Sequence, residues 1–68
     1  MLNITITARD THSDKIAVID NLTPAQAVSK WNTLAARYHV VTGIKINGVN
    51  SPVDYGFIKD LANQDAKQ

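Results

Sequence analysis

The residues best suited to chemistry fall in one short run, Asp10-Thr11-His12-Ser13-Asp14. Two carboxylates flanking an imidazole, as Asp-x-His-x-Asp, are ligand types for a weak divalent-cation or phosphoryl-chemistry site. The same run supplies a hydroxyl, an imidazole and an acid, the parts of an activated nucleophile, provided they converge on one point. Adjacent residues on a turn do not converge, and Asp and Ser are residues that turns use for their own backbone hydrogen bonds. The second histidine, His39, lies far along the chain, so no cluster with metal-ligand spacing forms. The chain has no cysteine, hence neither a disulfide nor a thiolate metal site. Gly43, Gly48 and Gly56 fit neither a P-loop nor a dinucleotide fingerprint. The expectation is a protein that is not an enzyme, with no catalytic residues, no metal and no cofactor.

That run must sit on a turn, because strand patterns flank it. From Leu2 to Arg9 the chain alternates strictly, with Leu2, Ile4, Ile6 and Ala8 on one face and Asn3, Thr5, Thr7 and Arg9 on the other. Lys15–Asp20 is the return strand of a hairpin; Ile16 and Val18 are assigned to the core face, Ala17 and Ile19 to the outer one.

The clearest helix follows, over residues 21–38. Thr23 is suited to the N-cap, Pro24 to the first helical position and Gln26 to a capping box. Ala27, Val28, Trp31, Leu34, Ala35 and Tyr38 fall within an arc of about 120°, one core-facing stripe at about 100° per residue. Gln26, Lys30, Thr33 and Arg37 share the opposite face.

Residues 43–47 read as a third strand, with Ile44 and Ile46 inward and Lys45 outward; Asn47-Gly48 is a turn dipeptide, with too little beyond it to count a fourth strand. A second helix is expected from Pro52 to about Asn63, capped by Ser51, with Asp54 at the capping-box position. Its apolar residues Val53, Tyr55, Phe57, Ile58, Leu61 and Ala62 span roughly 200°, wider than one stripe needs. Residues 63–68 form a polar tail.

The expected architecture is a single α+β domain, ββαβα. Its sheet is three-stranded and mostly antiparallel, order 2-1-3, with two helices on one face. The hairpin running into a capped helix resembles the start of a β-grasp domain, an alternative that would imply a closing strand beside the first; the chain instead ends in a helical pattern.

Composition narrows the function. Sixty-eight residues at 44% hydrophobic and 19% charged describe one small ordered domain. A core of this size is marginal without a staple, and self-association is the remaining common way to add burial. The polar start predicts no signal peptide, and no apolar run has the length of a membrane span. A soluble, cytoplasmic chain with no membrane contact is therefore expected.

Net charge is +1, far from the strongly basic footprint of a nucleic-acid binder. The reading is a non-enzymatic protein-interaction module, a self-associating small accessory protein, most simply a homodimer. Its interface residues are Lys15, Ala17 and Ile19 on an edge strand, and Tyr55 and Phe57 on the last helix. The alternative is weak nucleic-acid binding through Arg9, Lys15, Lys30, Arg37 and Lys45.

Overall fold

A computed structural model describes residues 2–66. Its elements are β1 (Ile4–Asp10), β2 (Ile16–Leu22), α1 (Pro24–Ala36), β3 (His39–Ile46), β4 (Val49–Ser51) and α2 (Tyr55–Ala66). The strands form one sheet, order β2-β1-β3-β4, with every neighbouring pair antiparallel. The α+β class and the 2-1-3 order match expectation, and a fourth strand joins the edge. Asn47 (φ 52°) and Gly48 (φ 83°) both adopt the left-handed region, as in a type I′ turn, whose twist matches that of the strands it joins. Val49–Ser51 then folds back along Ile46–Ile44. Because β2 and β3 occupy both sides of β1, no closing strand can lie beside it as a β-grasp ending requires.

The hairpin register corrects one expectation. Asp10 N–H donates to Lys15 C=O at 2.9 Å, so the turn between them has four residues and Ala17 lies opposite Ala8, Ile19 opposite Ile6. Directly opposed residues share a face, so Ala17 and Ile19 face the core while Ile16 and Val18 join Arg9 and Thr7 on the open face. A slip of one residue in a strand exchanges its faces, and the turn length made that choice. A bulge then returns Leu22 to the core: Asp20 and Asn21 together oppose Thr5, with Asn21 left-handed at φ 60°. Its side-chain oxygen accepts from Asn3 Nδ2 at 3.0 Å.

In α1 the capping box forms as expected: Gln26 N–H donates to Thr23 Oγ1 at 3.2 Å, and Thr23 N–H to Gln26 Oε1 at 3.0 Å. The helix stops at Ala36, short of the expected Tyr38, which turns left-handed (φ 61°) and projects into solvent, 69% exposed. The expected Ser51 cap of α2 is corrected. Ser51 pairs in β4, and Asp54 caps instead, its Oδ1 accepting from Gly56 N–H at 3.0 Å. The helix continues to Ala66, through most of the expected tail; Lys67 and Gln68 lie outside the described residues.

Ile4, Ile6, Ala8, Leu22, Ala27, Leu34, Ile44 and Ile58 form the core, with Ile19, Val28, Trp31, Val41, Ile46 and Leu61 packed around them. The second helix packs on α1. There the Trp31 and Tyr55 rings meet edge to face at 5.5 Å, and Asn32 Nδ2 donates to the Tyr55 hydroxyl at 3.3 Å.

Candidate interaction surface

The Asp-x-His-x-Asp run does not converge. Asp10 turns its Oδ1 back on the loop, accepting from the N–H groups of His12 at 2.8 Å and Ser13 at 3.4 Å. The His12 N–H holds its carboxyl below the ordinary value, with partial burial pulling the other way and Ser13 and His39 adding smaller downward effects. Asp14 is bonded to the Arg9 guanidinium at 2.6 Å, while the His12 ring meets Tyr38 edge to face at 5.4 Å. Each side chain has its own partner. Together with Thr11, whose N–H and Oγ1 both donate to Tyr38 C=O, they lock the hairpin tip onto the turn between α1 and β3.

The cations of the nucleic-acid reading are likewise dispersed. Arg9 and Lys45 lie on the open sheet face, but Arg9 carries the Asp14 carboxylate. Lys15 sits at the start of the return strand. Lys30 lines a polar groove with Asn21, Gln26, Ser29 and Thr33, and Arg37 ends α1.

The proposed contact residues divide. Lys15 is exposed, but Ala17 and Ile19 are half-buried on the core face. Tyr55 is half-buried against Trp31, and Phe57 is 39% exposed. The residues that sequence reasoning placed inside are the ones in solvent: Ile16 is 58% exposed and Val18 60%. Val40, also exposed, lies across Arg9 from Ile16, and the flat Gly43 lies across Thr7 from Val18. The signal that would have found them is the number of residues in the turn, which sets which face each residue of β2 takes.

Strand β2 is also an edge. The bond from Asp10 N–H to Lys15 C=O closes the hairpin end, where Asp10 C=O accepts from Asp14 N–H instead. It marks this position as hydrogen-bonded, and such positions alternate with non-bonded ones along an antiparallel ladder. Ala17 and Ile19 therefore bond to β1, while the N–H and C=O groups of Ile16, Val18 and Asp20 point away from the sheet. Apolar side chains beside unpaired backbone groups are the chemistry that recognises another strand. No helix among the described residues is long and apolar enough to cross a membrane. Compared with known proteins, the chain matches no family model, no curated protein and no solved structure.

Proposed function

We propose that this protein is a non-enzymatic interaction module that self-associates through the free edge of β2 and the apolar patch beside it. The observation that carries the reading is the exposure of Ile16 and Val18, 58% and 60%, on an edge strand with neither proline nor an internal charge between Lys15 and Asp20. Natural edges are ordinarily blunted by such residues or covered. Leaving β-branched side chains in water forgoes roughly 1.5–3 kcal/mol for each that a partner could fully bury. The small core adds to the case, since a second copy is one way to enlarge it.

Sedimentation at high micromolar concentration tests the reading: a species of twice the 7.4 kDa chain mass is expected, and a 7.4 kDa species alone would exclude it. Nucleic-acid binding has weaker support, because Arg9 is already paired with Asp14 and, apart from Lys30 in α1 and Arg37 at its C-cap, the remaining cations lie on separate parts of the chain.

A further inference from the structure

We infer that two copies pair antiparallel through β2 about a twofold axis at Val18, joining their sheets into one of eight strands. This rests on the self-association just proposed and adds its geometry.

A twofold axis relating neighbouring antiparallel strands stands perpendicular to the sheet, so opposed residues from the two copies lie on the same face. Only registers pairing even-numbered residues with even, and odd with odd, satisfy this over Ile16–Asp20. Strand β2 pairs regularly with β1 from Ile16 to Ile19, and the bulge opens at Asp20. Asp20 still keeps the alternation, its Oδ1 accepting from Thr5 on the open face at 3.0 Å, so the outward-pointing set Ile16, Val18 and Asp20 is centred on Val18. With Val18 opposite the second copy's Val18, Ile16 lies opposite the second copy's Asp20. All three outward-pointing residues then meet outward-pointing partners, so no N–H or C=O of the regular edge is left over.

Charge and shape favour this register over the next. On the open face it sets the second copy's Asp20, whose Oδ1 accepts from its own Thr5, in line with Ile16 and with Arg9, whose Nη1 is held by Asp14. The row runs acid, aliphatic, guanidinium, and the twofold repeats it. On the core face the small Ala17 opposes the second copy's bulky Ile19. Shifting the centre to Ala17 would place Asp20 opposite the second copy's Asp14, like charges directly across the strands, which is destabilising. It would also leave the outward groups of Asp20 facing a turn.

The chain has no cysteine, so an introduced thiol reports its own neighbours. Opposed residues in a hydrogen-bonded pair lie about 5.5 Å apart at Cα, within reach of a disulfide. On oxidation, Val18→Cys is expected to give a covalent dimer. A mixture of Ile16→Cys and Asp20→Cys chains should give the mixed disulfide, and Ala17→Cys should stay monomeric on denaturing gels. Val18→Pro removes an N–H that the ladder alternation points away from β1 among the described residues. It is expected to weaken dimerisation at least about tenfold, because the second copy's carbonyl is left unpaired at two symmetric places. Val18→Lys, which places its charge on the open face, should weaken it likewise and provides a second folded variant.

A wild-type chain that sediments as a monomer overturns the self-association reading and this inference with it. A wild-type dimer that cross-links through Ala17→Cys instead of Val18→Cys overturns the register alone; one that survives Val18→Lys undiminished overturns the β2 interface as well and leaves only self-association itself standing.

Discussion

At the scale of single residues, the hairpin tip shows how chemically suggestive side chains are consumed by structure. Asp10 accepts backbone N–H bonds that favour its charged form, so its carboxyl titrates below the ordinary value. A carboxyl depressed in the folded state contributes stability above its unfolded pKa, about 3.9, and that contribution disappears as pH falls through the folded value. Asp10→Asn keeps an acceptor oxygen but does not titrate. The melting temperature of the wild type is therefore expected to fall more steeply than that of Asp10→Asn on acidification below about pH 4; parallel curves from thermal melts over that range would show that Asp10 is not the group responsible. Tyr38 is the residue least legible in advance. Its spacing continued the apolar stripe of α1, yet it is the left-handed residue that ends the helix, held there by Thr11 and His12. No local pattern announces a non-glycine residue in that role.

At the scale of elements, the cap of α1 could be read directly because its signature is local: Thr23 and Gln26 satisfy each other's backbone N–H groups within one turn, and Pro24 at the first helical position has none to satisfy. The same grammar at Ser51-Pro52-Val53-Asp54 misplaced the start of α2, because Ser51 is claimed by a longer-range partner, Ile44 on β3. Moving the start to Tyr55 changes the meaning of Gly56. It lies in the first turn beside its cap, its torsion is not left-handed, and an added Cβ would make ordinary contact with Asp54 Oδ1 at 3.5 Å. Gly56→Ala is thus expected to stabilise the fold by about 0.5–1 kcal/mol, since alanine has less backbone freedom to lose. Chemical denaturation would measure this, and an unchanged or lower midpoint would mean that the start of α2 does not tolerate a side chain there.

At the scale of the whole molecule, the wide apolar arc of α2 resolves into two unequal parts. Ile58 is wholly buried in the core shared with the sheet, whereas Phe57 beside it is 39% exposed. Ile58→Ala is expected to cost about 2–5 kcal/mol, enough to unfold a domain whose total stability is of that order. Phe57→Ala, losing a partly solvated contact, is expected to cost under about 1 kcal/mol. Equal losses in denaturant titrations would mean that both rings and branches serve one core. Retention of fold in Phe57→Ala also makes it a clean variant for asking whether α2 contributes to any partner contact.

The sequence by itself determined the elements whose causes lie within a few residues: the alternating β1, the capped α1, the Asn47-Gly48 turn, and the α+β class that their order implies. It also determined the absence of thiol chemistry. Tertiary structure decided what depends on counting across a turn or pairing across the sheet. Four residues between Asp10 and Lys15 turned Ile16 and Val18 outward and Ala17 and Ile19 inward. Both pairs are apolar, so hydrophobicity alone could not choose between them. The side that received Ile16 and Val18 is the one that no helix among the described residues covers, and the candidate surface exists because strand register, set by turn length, has a period of two and no intermediate position.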